Sequence, residues 1–159
     1  MNTVIFGPAR IGDAPLIAAM SRHQIEADLP WNWTAARVAA LMRDRDSLAL
    51  TARAGTDLAG FVLAQFGADH AHIALLGVAP DYRRQGLGRR LMNWVEDSAA
   101  AAGLQGVTLE VRISNRSGQR FYARLGYHQI ERITRYYSNI EDALRLERKL
   151  VMQRPTAEG

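Results

Sequence analysis

Residues 78–91 read VAPDYRRQGLGRRL, and this stretch indicates a strand that passes through a tight loop into a helix. An apolar run over residues 73–78 leads into it and stops at Pro80, which has no N–H to donate to a sheet. An amphipathic pattern follows, as expected for a helix that packs on a sheet. Its apolar face is predicted to carry Leu87, Leu91, Trp94, Val95 and Ser98. Its polar face is predicted to carry Arg89, Arg90, Asn93, Glu96 and Asp97.

The start of this helix has the features of an anion site. Gly86 and Gly88 lie where the first amides of a helix have no intrahelical partner and the helix dipole is positive. Glycines let an anion approach the backbone closely, and the flanking arginines add a basic field. The stretch therefore predicts a phosphate or pyrophosphate cradle, although an ordinary turn with a solvated arginine cluster would look similar. Neither of the two standard nucleotide loops is present.

Composition restricts the class of protein. The chain has 159 residues, 48% of them hydrophobic, which suits one domain with its own core. No apolar run of about 18 residues and no secretory signal is visible, so we expect a cytoplasmic protein without a membrane partner. The sequence contains no cysteine, which excludes a disulfide framework, a thiolate metal site and a cysteine acyl-enzyme.

The net charge of +4 indicates an anionic partner. Lys149 is the only lysine, so arginine supplies almost all of the basicity, and arginine suits bidentate contacts with phosphate. No nucleic-acid recognition motif or basic stripe with interleaved aromatics accompanies this charge. We therefore expect no nucleic-acid partner.

The remaining elements follow from periodicity and turn signals. Strands are expected at residues 3–6, 47–53, 58–66 and 70–78, with helices beginning near Asp13 and Thr34. Residues 106–112 alternate, which predicts a strand parallel to the one before the cradle. Asn115 or Ser117 is expected to cap a helix that Gly126 closes. Two more strands follow, the last of them ambiguous with a helix, which gives a mixed α/β (α+β) fold.

Several ordered motifs resemble those of the GNAT N-acetyltransferase family. They are Arg-x-x-Gly-x-Gly at residues 83–88, LEVRISN at 109–115 and FYARLGY at 121–127. The resemblance implies the GNAT fold, a mixed central sheet of six to seven strands with helices on both faces. It implies a single acetyltransferase domain over residues 1–152, followed by a frayed tail over 153–159. It also implies acetyl-CoA as co-substrate. We expect no metal, and either a monomer or a homodimer.

Three shorter segments resemble the RimI type, which acetylates the N-terminal alanine of a ribosomal protein. They are RYY at residues 135–137, EDA at 141–143 and LPWN at 29–32. This resemblance implies that the acceptor is a protein or peptide N-terminal α-amine. However, only Ser138, Asn139 and Ile140 separate the tyrosine pair from Glu141, a shorter segment than in that type. A small-molecule amine acceptor and a non-catalytic acyl-CoA-binding module therefore stay open as alternatives.

The resemblance assigns Glu110 as the base, directly or through water, and Tyr122 as the acid. Judged by sequence alone, Glu110 could instead be a solvent-facing strand residue paired with Arg112 or a neighbour. Tyr122 could be a core aromatic. His72 is an alternative base, since histidine titrates near neutral pH. His70 and His72 together lack the third ligand that a zinc site needs.

The family positions also assign residues to the donor and the acceptor. Asn115 could be only a helix cap, whereas its counterpart in relatives contacts CoA. The candidate acetyl-CoA-binding residues are Leu76, Gly77, Val78, Arg83, Arg84, Gln85, Gly86, Leu87, Gly88, Arg89 and Asn115. The candidate acceptor-binding residues are Trp31, His72, Tyr137 and Glu141.

Overall fold

A computed structural model describes residues 3–150 of the chain. The strands of this part are β1 (Val4–Pro8), β2 (Ser47–Ala54), β3 (Asp57–Phe66), β4 (His70–Val78), β5 (Gly106–Arg112), β6 (His128–Tyr137) and β7 (Glu141–Lys149). The helices are α1 (Ala14–Gln24), α2 (Ala35–Arg43), α3 (Leu87–Ala101) and α4 (Arg116–Arg124). Short 3-10 turns at Ile11–Asp13 and Pro80–Tyr82 precede α1 and α3.

The strands form one mixed sheet in the order β1-β2-β3-β4-β5-β7-β6. β4 and β5 run parallel, and every other neighbouring pair in this order runs antiparallel. The parallel pair expected on either side of α3 is therefore confirmed. The ambiguous last segment is strand β7, because it pairs with β5 on one side and β6 on the other.

Helices cover both faces of the sheet, as predicted. α1 and α2 pack on one face, where Ile17 and Val38 join Phe61 in a buried cluster. α3 packs on the other face, where Leu91 lies in a second cluster with Val107. The alternation predicted for β5 explains this division, because the apolar residues of that strand all face α3.

A β-bulge interrupts β4 at Ala74. Leu63 of β3 pairs with Leu75, whereas the next residue, Ala64, pairs with Ile73, so Ala74 has no partner in the register. The bulge reverses the alternation, since Ile73 lies in the α3 cluster and Leu75 in the α1–α2 cluster. Bulges bend a strand. The parallel pairing of β4 with β5 ends at the same point, at Ile73 opposite Leu109.

The predicted faces of α3 were wrong at two positions. Trp94 was assigned to the buried face but is 39% exposed, and Glu96 was assigned to the polar face but is 4% exposed. The buried stripe is rotated towards Met92 and Glu96. Burial of Glu96 is compensated because the Tyr127 hydroxyl donates to it at 2.7 Å and Arg148 Nη1 at 2.8 Å.

The expected helix caps are confirmed at two of three positions. Thr34 Oγ1 accepts from the Arg37 amide, and Asn115 Oδ1 accepts from the Gly118 amide at 2.9 Å. Asp13 holds the N-cap position of α1, but its carboxylate makes no cap bond to that helix. It accepts from the Arg10 amide and pairs with Arg53. The Asp13 side chain therefore stabilises the turn before α1.

The frayed tail expected at residues 153–159 lies outside the described residues. Among residues 3–150, no helix has the length and apolar character that crossing a membrane would require.

Candidate active site

The divergence of β4 from β5 leaves one edge of β4 open. After Ile73, β4 keeps its partner β3, and β5 pairs with β7 as far as Arg112 opposite Ala143. Along residues 76–78 the side of β4 that faces β5 therefore has no strand partner in the described part of the chain. An open edge of this kind can accept an extended ligand as an added strand.

Gly77 is required by packing on the face of the sheet that α1 and α2 cover. A Cβ at this position would lie 2.6 Å from Cε1 of Phe61, closer than side-chain carbons approach one another. Glycine at residue 77 therefore allows the β4 edge to pack directly against the α1–α2 cluster.

The predicted anion cradle lies at the end of this edge. Gly86 is the N-cap residue of α3 and adopts a left-handed conformation with φ of 77°, and Arg84 is also left-handed with φ of 63°. Arg84, Gln85, Gly86 and Arg89 are exposed. The amides of the first helical turn, from Leu87 onwards, have no intrahelical partner. This geometry suits a phosphate group.

Leu87 and Gly88, which also belong to the cradle motif, are buried and contribute to packing. The Leu87 side chain is buried with Ala52 and Ala59, so it can reach a ligand only through its amide. A Cβ on Gly88 would lie 3.1 Å from Cζ of Phe121, so this glycine lets α4 approach α3.

The arginines of the cradle do not all face the same way. Arg83 turns back, with Nε 3.3 Å from the Val78 carbonyl oxygen and Nη2 3.3 Å from Oε1 of Gln24. Arg90 stacks on the ring of Phe6 with its guanidinium carbon 4.0 Å from the ring centroid. Arg83 thus connects the end of β4 to α1, while Arg84 and Arg89 stay open to solvent.

Glu110 lies in β5 on the face opposite α3, and its side chain is only 6% exposed. Tyr136 donates to Oε1 at 2.8 Å, and Nε2 of His72 lies 3.3 Å from the same oxygen. Arg145, directly opposite on β7, places Nε 3.5 Å from Oε2. Burial alone would raise the pKa of Glu110, but the hydrogen bonds and charges of these three neighbours lower it below its usual value. The solvent-facing interpretation of Glu110 was therefore wrong, and the carboxylate pairs with the neighbouring Arg145 and not with Arg112.

The two histidines are each held by a different carboxylate. His72 Nδ1 lies 3.1 Å from Thr108 Oγ1 while its other nitrogen faces Glu110. His70 Nε2 lies 2.8 Å from Oε2 of Glu147. Within the described residues, no three histidine or acidic side chains are grouped in a way that could hold a metal ion.

Tyr122 lies in α4 and is partly buried against the α3 cluster. Its ring makes edge contacts with Phe121 and Tyr127, at centroid distances of 5.0 and 5.8 Å. Burial raises the pKa of the phenol, so it stays protonated at neutral pH. Burial also raises the pKa of Tyr137, and the nearby Tyr136, Glu110 and Tyr122 raise it further.

Asn115 is occupied as the cap of α4. Its Oδ1 accepts from the Gly118 amide, and a Cβ at Gly118 would lie 2.5 Å from Asn115 Nδ2. The glycine inside α4 therefore makes room for the capping side chain. The Asn115 side chain remains exposed at the end of β5.

The candidate acceptor residues Tyr137, Trp31 and Glu141 have different surroundings. Tyr137 is half-buried near Glu110, whereas Trp31 is 40% exposed on the loop between α1 and α2. The Arg22 guanidinium carbon lies 4.8 Å from the Trp31 ring centroid. The Glu141 carboxylate is already occupied, because Arg112 donates to it at 2.8 and 3.0 Å and Ser114 at 2.6 and 3.0 Å. These bonds, Ser114 first, lower the pKa of Glu141 to about 2.

Sequence reasoning missed Tyr136 and Arg145 as partners of Glu110. Family position selects only Tyr137 of the tyrosine pair, and by sequence alone Tyr136 is expected to be a core or rim aromatic. Arg135 has φ of 52°, and the register between β6 and β7 shifts between Ile133 and Tyr137. This irregularity removes the simple alternation, and the sequence carries no signal for it.

Comparisons with known proteins identify the family of the chain. The model of the acetyltransferase (GNAT) family matches residues 17–127. The N-terminal acetyltransferase B complex catalytic subunit NAA20 of Arabidopsis thaliana is 42% identical over 82 residues, which cover 51% of this chain and 47% of that protein. The [ribosomal protein bS18]-alanine N-acetyltransferase of Escherichia coli (strain K12) is 36% identical over 90 residues, 55% of this chain and 61% of that protein.

A solved structure extends the likeness to nearly the whole chain. The crystal structure of the ribosomal-protein-S18-alanine N-acetyltransferase from Escherichia coli has a TM-score of 0.81 and 25% identity, and covers 97% of this chain and 98% of that one. By sequence, the chain spans about half to three-fifths of the length of the two curated relatives above.

Proposed function

The chain belongs to the acetyltransferase (GNAT) family, and from that premise we propose that it transfers acetyl from acetyl-CoA directly to the N-terminal α-amine of a protein or peptide. We propose that residues 1–152 act as one such domain. The observation that carries the proposal is the opening between β4 and β5, with a helix N-terminus at one end and Glu110 on the neighbouring strand. The opening offers a site for the donor, and Glu110 offers a carboxylate for the acceptor.

Acetyl-CoA would bind along the open edge of β4. The backbone groups of Leu76 and the Val78 N–H point away from β3 and would pair with the pantetheine arm, whereas those of Gly77 face Phe61 of β3. The first-turn amides of α3 and the loop before them, residues 83–89, would hold the pyrophosphate. Arg84 and Arg89 are exposed there and can add charge, and the exposed Asn115 can contact the CoA arm.

Direct transfer then requires four linked events. The neutral amine nitrogen attacks the thioester carbonyl carbon, and the Val78 N–H would stabilise the resulting oxyanion. The C–S bond breaks, and the Tyr122 hydroxyl donates a proton to the departing thiolate. The proton lost by the amine passes to Glu110, directly or through water or His72. The products are the N-acetylated acceptor and CoA with a free thiol.

The low pKa of Glu110 supports an α-amine as acceptor. An α-amine has a pKa of about 7.7–8.0, so roughly a tenth of it is neutral at pH 7, whereas a lysine amine with a pKa of about 10.4 is almost fully protonated. A carboxylate whose pKa is lowered attracts a cationic amine well but removes a proton from it poorly. It therefore suits an amine that loses its proton easily.

The test is acetyl-CoA consumption by the purified protein with three sets of acceptors. The sets are short peptides with a free N-terminus, the same peptides with a blocked N-terminus and a free lysine, and small amines such as polyamines, amino acids and aminoglycosides. The proposal expects turnover only with the free α-amine, and the preferred first residues then define the acceptor. Turnover confined to small amines would support the small-molecule alternative. Acetyl-CoA binding without transfer to any amine would support the binding module, and either result would overturn the proposal.

A further inference from the structure

Arg112 lies where three segments of the candidate acceptor side meet. It is two residues beyond Glu110 on β5, and therefore on the same face of the sheet. The other two segments are the loop between α1 and α2, residues 25–34, here named the acceptor loop, and the turn between β6 and β7, residues 138–140. The acceptor loop carries Trp31, and the turn follows Tyr137.

The Arg112 guanidinium joins these segments through one set of bonds. Nη1 donates to the Ala27 carbonyl oxygen at 2.6 Å, which attaches the acceptor loop to β5. Nε and Nη2 donate to Oε1 of Glu141 at 3.0 and 2.8 Å, which attaches the start of β7. The planar fork of an arginine donates to both partners from different nitrogens, whereas all three donors of a lysine leave a single nitrogen, which replaces only one side of the fork.

The Glu141 carboxylate is held from its other side by the end of β5. Its Oε2 accepts from the Ser114 hydroxyl at 2.6 Å and from the Ser114 amide at 3.0 Å. The side chains of Arg112 and Glu141 are only 19% and 16% exposed, so salt screens this ion pair less than an exposed one. A carboxylate with these partners is not free to bind an acceptor ammonium.

The acceptor loop is organised around a second carboxylate next to the Arg112 contact. Glu26 is 7% exposed and accepts from the amides of Asn32 and Trp33 at 2.7 and 3.2 Å. This arrangement folds the loop on itself but does not attach it to the sheet. Asn32 Nδ2 also lies 3.3 Å from Ser138 Oγ, between exposed side chains. The contact of Arg112 with Ala27 is shorter, charge-assisted and less exposed.

We propose that Arg112 and Glu141 are positioning residues. They hold the acceptor loop and the β6–β7 turn in a fixed position relative to Glu110, and so set the affinity for the acceptor. This inference rests on the proposed function, since it takes the space between these segments as the acceptor site. It gives Glu141 a role different from the direct acceptor contact expected from the sequence. The pair does not touch the reacting atoms.

The test compares Arg112→Met with a matched control, Arg132→Met. Arg132 pairs with Asp142, the residue after Glu141, at 2.7 Å, and its side chain is 57% exposed. Among residues 3–150, Arg132 makes no side-chain hydrogen bond to the acceptor loop. Arg112→Met is expected to lower kcat/KM for an acceptor peptide about 10- to 100-fold while KM for acetyl-CoA changes by less than about twofold. Arg132→Met is expected to change neither constant.

Two further variants separate positioning from simple loss of stability. Arg112→Lys is expected to fall between wild type and Arg112→Met, because lysine restores the charge but only one of the two attachments. The double variant Arg112→Met/Glu141→Gln is expected to lose little more than Arg112→Met alone, because both changes remove the Arg112–Glu141 bonds and only the Ser114 bonds to Glu141 are weakened in addition. Multiplicative losses would contradict the inference. A lower Tm with unchanged kcat/KM for the acceptor peptide would also contradict it. Equal losses of kcat/KM for acetyl-CoA and for the acceptor peptide would contradict it as well.

Amide hydrogen exchange tests the same attachment without any turnover. Exchange across residues 25–34 is expected to be faster in Arg112→Met than in wild type or Arg132→Met, with β2 and β3 unchanged. Unchanged exchange in the acceptor loop would overturn the inference. If wild type acetylates no peptide, the proposed function fails, and this measurement still decides whether Arg112 fixes the loop.

Discussion

The Tyr136 hydroxyl donates a hydrogen bond of 2.8 Å to Oε1 of Glu110. The same oxygen faces His72 Nε2 at 3.3 Å, and the other carboxylate oxygen faces Arg145 Nε at 3.5 Å. Donors from three strands, β4, β6 and β7, therefore fix one carboxylate on β5. Burial, followed by this hydrogen bond to Glu110, raises the pKa of Tyr136 to about 12, so the phenol remains a donor throughout the neutral range.

As pH falls, kcat/KM is expected to drop first as the acceptor amine is protonated at about pH 8 and again at a lower pH, in an acid limb set by Glu110. Tyr136→Phe is expected to move this Glu110 acid limb to higher pH. The pKa of Glu110 is lowered in the folded protein, so its carboxylate form is lost only as pH falls through that low value. Removing the Tyr136 hydroxyl removes one cause of the lowering, which raises the pKa and brings the loss of activity to a higher pH. The measurement is kcat/KM for an acceptor peptide against pH. An acid limb at the same pH as in wild type would show that Glu110 does not govern it.

Tyr122→Phe is expected to lower kcat by about 10²–10⁴-fold with little change in acetyl-CoA affinity, as for loss of a general acid. Steady-state kinetics and calorimetric titration with acetyl-CoA check the two parts. Tyr127→Phe is the matched control, because its hydroxyl bonds to buried Glu96 and its loss should reduce stability by about 1–3 kcal/mol instead. Unchanged turnover in Tyr122→Phe would remove Tyr122 from the mechanism.

Gly77→Ala is expected to destabilise the protein by about 1–3 kcal/mol, as overpacking a core does. The added methyl would meet Phe61 at 2.6 Å and Met20 Sδ at 3.4 Å. Gly12→Ala is the control, since a Cβ there has no neighbour within 4 Å among the described residues. Urea unfolding measures both variants. Equal stability of the two would mean that β4 does not pack as closely as described.

Glu141→Gln is expected to destabilise the protein at neutral pH but to make little difference in strong acid. The folded pKa of Glu141 is lowered to about 2, so its stabilising effect is present above the unfolded pKa of about 4.3. That effect is lost as pH falls from there towards the folded value. Urea midpoints of wild type and variant should therefore converge between about pH 5 and pH 2. A difference that stayed constant with pH would contradict the ion pair.

Most of the individual strands and helices could be anticipated because their signals are local. Alternation in residues 106–112 and the cap residues Thr34 and Asn115 each act within a few positions. The rotation of α3 could not be anticipated. Burial of Glu96 depends on Tyr127 and Arg148, which follow it by 31 and 52 positions in the chain.

The sequence proposed residues for the candidate site but not the contacts between them. The family motifs led to Glu110, Tyr122 and the cradle, and the bulge at Ala74 that opens the edge of β4 has no sequence signal in a run of apolar residues. The partners of Glu141 also come from separate segments. Long-range pairing of this kind is decided by tertiary packing, which local pattern does not encode.

The most direct test of the central claim is one peptide in two forms, with its N-terminus free or blocked and one lysine present in both. Incubation with acetyl-CoA and fragmentation by mass spectrometry locate the acetyl group. The account predicts acetyl on the α-nitrogen of the free form and none on the lysine of either form. Acetyl on the lysine of the blocked peptide, at a rate equal to that of the free peptide, would contradict it.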